Sequence, residues 1–245
     1  MKTLFAGLII ISMTASCGLL IKLLSHQNGI LDTEGMDNIE SPNNDDNTIF
    51  ITHRIFKYHV SQREINRCIN FDLEMVVIPG YVNSQTKIKY KYKYNPADLT
   101  QEEIIDFTDS IYGLCRPTYT SVNEDKFGVD IHPPRSYTLR KLQLAPFPDV
   151  DFPIYEGRKG KGFLYIPRGN WGEWEKSKIK HNKIIKSVSY KNDSIINGCV
   201  VEGTATSKFG ISTLEAHFQI DSGFTRLFYR FSDSSKVDFV LKEIK

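Results

Sequence analysis

The chain has 245 residues, 40% of them hydrophobic and 12% aromatic, and its 31 Lys and Arg against 29 Asp and Glu leave a net charge of +2. A charge so near balance gives no bulk attraction for nucleic acid, and the apolar fraction is too high for a disordered chain. No cofactor or metal site is expected: the six histidines make no HxH or HExxH pattern, the four cysteines no CxxC, and no serine sits in GxSxG.

In chain order, the first element is MKTLFAGLIIISMTASCGLL, with Lys2, an apolar run and then Thr14-Ala15-Ser16-Cys17. A basic start, roughly ten apolar residues and small residues before a cut site are the parts of a secretory signal. The cysteine behind them resembles the lipobox of bacterial lipoproteins, with Thr14 standing where that pattern usually has Leu. The resemblance implies removal of residues 1–16 and diacylglycerol on the sulfur of Cys17. A second reading keeps Leu4 to Ile21 as an uncleaved anchor, because this stretch carries no charge and approaches the roughly 20 residues a bilayer requires. Under both, the early positive charge and the acidic stretch that follows put the remaining chain beyond the membrane. The expected location is the cell envelope of a Gram-negative bacterium, anchored on the periplasmic side. The outer membrane is preferred over the inner, since Gly18 is no evident retention signal.

Residues 17–48 are rich in Asn, Asp, Glu and Gly and bury too little to offset chain entropy, so they read as a flexible acidic linker. Residues 49–245 then form a β-rich globular domain, with two packed halves, 49–143 and 144–245, as one option. Within it, Cys68 and Cys115 are the preferred disulfide pair in an oxidising compartment, with Cys199 left over; three buried free thiols are the other reading.

The fold class reads as mainly β, a β-rich α+β domain of one or more curved antiparallel sheets. Ile49 to Val60, Phe71 to Ile78 and Gln85 to Tyr94 are β-branched and aromatic runs, the last two separated by Pro79-Gly80 and polar residues. One capped helix follows: Thr100-Gln101-Glu102-Glu103 forms a capping box, Ile104, Phe107 and Ile111 line one face, and Gly113 ends it. From Ile184 onward an antiparallel meander is expected. Its strands lie near Ile184 to Tyr190, Cys199 to Ser207, Ile211 to Ile220, Phe224 to Phe231 and Val237 to Leu241. Asn197-Gly198, Lys208-Phe209-Gly210, Asp221-Ser222-Gly223 and Ser232 to Ser235 supply the turns. Leu214, Ala216, Phe218 and Ile220 alternate with Thr213, Glu215, His217 and Gln219, which predicts one buried and one wet face. Leu227, Tyr229 and Phe231 belong with the buried row.

The stretch LAPFPDVDFPIYEGRKGKGFLYI, then GNWGEWE, then the meander from Gly198-Cys199-Val200-Val201 to Asp221–Tyr229 resembles periplasmic lipoproteins of Gram-negative bacteria. Many of these have a curved sheet similar to the LolA and LolB lipoprotein carriers. The resemblance covers about Leu144 to Lys245, carries no catalytic residue, and implies a half-barrel that can shelter something apolar.

Other features divide between chemistry and plain structure. Lys87, Lys89, Lys91 and Lys93 alternate with Ile88, Tyr90, Tyr92 and Tyr94: an anion-binding strip, or a solvated strand whose lysines discourage edge pairing. Gly157-Arg158-Lys159-Gly160-Lys161-Gly162 lacks the phosphate-loop spacing and reads as a basic hairpin turn. Trp171 and Trp174 form either a ligand platform or a packed hairpin base. The expected function is non-enzymatic: a membrane-tethered lipoprotein binding an apolar or amphiphilic ligand, or a protein partner, in the concave face of its sheet. Trp171, Trp174, Phe218 and Tyr229 are the candidate ligand residues. The alternatives are a periplasmic interaction protein, such as a toxin-immunity factor, and a hydrolase of envelope polymers, which a cleft with paired carboxylates would favour.

Overall fold

The computed structural model describes residues 48–82, 85–100, 117–136, 138–166, 172–191 and 195–245. Its strands are β1 (Ile55–Glu64), β2 (Arg67–Val82), β3 (Gln85–Lys93), β4 (Thr118–Asp125), β5 (Gly128–Ile131), β6 (Asp149–Asp151), β7 (Lys159–Tyr165), β8 (Lys178–Lys191), β9 (Ile195–Ser207), β10 (Gly210–Gln219), β11 (Gly223–Phe231) and β12 (Lys236–Ile244). They form one antiparallel sheet in the order β6-β5-β4-β3-β2-β1-β12-β11-β10-β9-β8-β7, curled into a half-barrel. The fold is mainly β, as the alternation implied. Two meanders, β1 to β6 and β7 to β12, meet edge to edge where β1 pairs with β12. The capped helix expected from Gln101 lies outside the described residues.

Alternation decides the faces. On β1, Phe56, Tyr58 and Val60 are buried while Lys57, His59 and Ser61 turn outward, and on β3 the same holds for Ile88, Tyr90 and Tyr92 against the lysines. Three of the four outward lysines are engaged: Lys93 is 2.7 Å from Glu74, and Lys87 and Lys89 lie 5.2 and 5.7 Å from the Tyr119 ring. Leu214, Ala216, Phe218 and Tyr229 form the inward rows of β10 and β11, but Ile220 lies past the end of β10 and is exposed. The concavity is filled by the chain itself. Leu139, Leu142, Ala145, Val150 and Ile154, from the segment that crosses it, join the strand side chains in one core.

Three sequence expectations are corrected. Pro79-Gly80 does not end the second strand but sits in a register shift between Val77 and Tyr81, with Gly80 at φ 98°, after which β2 continues to Val82. Ile49 and Phe50 are not strand: the Glu124 carboxylate accepts the backbone N–H groups of Ile49 (2.9 Å) and Phe50 (2.8 Å), and His53 at φ 75° breaks the chain before β1. Gly198 is not a turn residue. It lies within β9 opposite Gln219, where any Cβ would collide with the Phe218 carbonyl oxygen.

Candidate functional site: a cavity at the seam of the half-barrel

The two edges of the sheet do not pair, and the site lies where they approach. On β8, Ile179, His181, Lys183 and Ile185 alternate toward the concave face. On β5 and β6, Asp130 pairs in register with Asp149, and Asp151 lies two residues on, so all three carboxylates share one face. Val129 and Val150 point the other way into the core. Between these elements is a cavity of about 400 Å³, which Pro146, Phe147, Leu164, Val201, Leu214 and Ala216 line with apolar surface. Phe163, 74% exposed, also belongs to its lining.

Two glycines shape the walls by close approach. A Cβ on Gly203 would stand 2.8 Å from Pro146, so glycine lets that proline settle onto β9. A Cβ on Gly160 would collide with the stem of Lys183, so glycine lets the lysine lie across β7. The segment expected as a basic hairpin turn thus becomes a turn at Gly157, with φ 83°, followed by an edge strand lining the cavity.

The polar half of the cavity is crowded with charge. The Lys183 ammonium is 2.9 Å from Asp151 Oδ1 and in direct contact with Asp149, and Arg158 Nε is 3.7 Å from Asp151. Burial and then repulsion from Asp149 push the Asp130 carboxyl up to about 6, against a hydrogen bond from Asn123 and the attraction of Lys183. Asp149 is also raised, burial outweighing the pull of Lys183. Burial lowers His181 to about 4, so its imidazole is neutral at neutral pH, and its buried Nε2 has no hydrogen-bond partner among the described residues. His132, lowered to about 4 by burial and then Arg135, and His181 flank the Phe147 ring at 5.1 and 6.1 Å. Apolar wall on one side and carboxylates, an ammonium and a neutral imidazole on the other suit a molecule with an apolar body and a polar head. Among the described residues, no group of three His, Cys, Asp or Glu is arranged to hold a metal ion.

The residues singled out from sequence lie elsewhere. Phe218 is 1% exposed, 5.2 Å from Phe224 and 6.2 Å from Phe152. Tyr229 is equally buried, stacked at 6.5 Å on Phe231 and edge-on to Phe239. Both belong to the packed core, because the crossing segment covers that part of the concave face. Trp174 packs with Ile166, Ile179 and Ala205, and the Arg140 guanidinium lies 4.7 Å from its ring, so it offers no open platform. Trp171, Cys17 and Cys115 are outside the described residues. Cys68 is exposed on β2 and makes no disulfide among the described residues, while Cys199 is buried with its thiol raised to about 11 by burial. The carboxylates were missed because β6 has only three residues, too few for a period. His181 and Lys183 had a signal: they sit at period two with Ile179 and Ile185, which assigns them inward.

Compared with known proteins, the chain matches no family model and no curated protein. Among solved structures it is similar to a candidate lipoprotein from Parabacteroides distasonis, at 10% identity and a TM-score of 0.40, over 81% of this chain and 99% of that one. A likeness at that score carries no functional argument.

Proposed function

We propose that this chain is a non-enzymatic lipoprotein of the cell envelope, tethered through Cys17 on the periplasmic side, that binds one amphiphilic molecule in the seam cavity. The observation that carries the reading is the cavity itself: about 400 Å³, within the roughly 300–1,000 Å³ range of small-molecule sites, with a floor of Leu214 and Ala216 beside the Asp149–Lys183–Asp151 cluster. The apolar body of the ligand lies on β9 and β10. Its head meets the carboxylates and the unpartnered His181 Nε2. Elsewhere the concave face is packed by side chains of the chain's own 139–154 segment. Cys17 supplies the address, with the outer membrane as the expected destination.

A second reading, a hydrolase of envelope polymers, is favoured by Asp130 alone. A carboxyl raised to about 6 beside a second carboxylate in a cavity has the protonation behaviour of a general acid. Turnover of peptidoglycan that Asp130→Asn abolishes would establish it.

Solvent extraction of protein purified from its membrane tests the ligand reading. A recurring compound with an apolar chain and a polar head, near one per protein, is expected. Extracts without any such compound would contradict it.

A further inference from the structure

The register of the sheet gathers the start of β1, the β4–β5 turn, the β6–β7 loop, the end of β8, the start of β9 and the β10–β11 turn at one rim. The chain joins the domain at that same rim, where Glu124 holds the amides of Thr48 (2.8 Å) and Ile49 (2.9 Å). Of the nine exposed large apolar side chains among the described residues, six sit here: Ile51, Phe127, Tyr155, Tyr190, Ile195 and Ile220. Exposed apolar groups gathered at one end mark an interaction surface, whereas single scattered ones need no explanation.

Two of the rings carry a cation. Lys126 Nζ is 5.0 Å from the centre of Phe127, and the Arg158 guanidinium is 5.5 Å from Tyr155. Two carboxylates of this rim are engaged within the turns: Asp125 accepts the N–H groups of Phe127 (2.7 Å) and Gly128 (3.0 Å), and Asp221 the hydroxyl of Ser222 (2.8 Å). Aromatic rings paired with basic groups are the chemistry of a membrane interface, where the ring rests at headgroup depth and the cation meets lipid phosphate. The uncharged run from Leu4 to Ile21 and Cys17 precede Thr48, so the chain leads from the tether into the domain at this rim.

We propose that this rim lies on the lipid bilayer to which the chain is tethered, with Phe127 and Tyr155 at headgroup depth and Lys126 on lipid phosphate. The inference rests on the tether in the proposed function and not on the cavity ligand.

The test uses the full lipidated chain in vesicles of phosphatidylethanolamine and phosphatidylglycerol with brominated acyl chains. Tryptophan is introduced by Phe127→Trp, Tyr155→Trp or, remote from the rim, Phe163→Trp; all three positions are exposed, so the fold is not at stake. Bromination is expected to quench the first two well beyond the parent protein and to leave Phe163→Trp at the parent level. Equal quenching of all three, or none above the parent, in a protein that floats with the vesicles would overturn the orientation. Failure to float would remove the tether itself, and the orientation with it.

Discussion

Lys183 of β8 holds its ammonium 2.9 Å from the Asp151 carboxylate of β6, so one cation ties the last strand of the N-terminal meander to the concave face of the C-terminal one. Lys183→Met leaves Asp149 and Asp151 without that partner. Their side chains are 38% and 34% exposed, so the cost falls below that of a fully buried pair, at about 2 kcal/mol. Urea unfolding reads the loss. Gly160→Ala, whose new methyl collides with the Lys183 stem, is expected to act in the same direction.

The seam also sets a pH profile. Asp130 rises to about 6 in the folded protein, so its contribution to stability is complete below about pH 4 and is lost as pH climbs through 6. Asp130→Asn is therefore expected to stabilise at pH 8 by about 2–3 kcal/mol and to change little at pH 4. His181 runs the opposite way. Its pKa falls to about 4, so the stability it confers is present above about pH 6.5 and is lost as pH falls through 4. His181→Gln should flatten the acid limb, measured by denaturant titration at each pH.

At the rim where the chain joins the domain, Glu124→Ala removes the acceptor for the buried amides of Ile49 and Phe50. Leaving them without a partner costs about 3 kcal/mol. Arg54, which donates to the Ile49 carbonyl at 2.7 Å, is then freed with the segment. Tryptic cleavage at Arg54 should accelerate while the strands resist. Unchanged cleavage would show that Glu124 does not hold the segment.

Phe218 and Tyr229 distinguish core from site. Phe218→Ala should cost about 3–5 kcal/mol, and Phe218→Asp should unfold the domain by burying a charge among Phe152 and Phe224. Tyr229→Phe is the contrasting case. The Tyr229 hydroxyl is buried with no partner among the described residues, so its removal should be neutral or stabilising by about 1 kcal/mol. Thermal unfolding of both variants checks the pair.

The strands and their faces were legible where the alternation was long. Leu214, Ala216 and Phe218 gave β10 its inward row, and Gly210 at φ 111° and Gly223 at φ 71° gave the turns their positions. Glycines serving close approach were harder to read. Gly160, Gly198 and Gly203 are needed because a side chain, a carbonyl or a proline from elsewhere in the chain comes against them, and nothing local signals that. The candidate site was hidden for the same reason. Asp130, Asp149 and Lys183 come from three strands, and only the curl of the sheet brings them together.

Native mass spectrometry of the wild-type protein and of Ala216→Phe, both extracted gently from membranes, tests the central claim most directly. Ala216 is fully buried in the cavity floor, so a phenyl ring there takes up the space a ligand body needs. The expected result is one recurring bound mass on the wild type and none on the variant, with the two folds matched by circular dichroism. A wild type that carries no bound mass, or a variant that retains the same one, would contradict binding in the seam cavity.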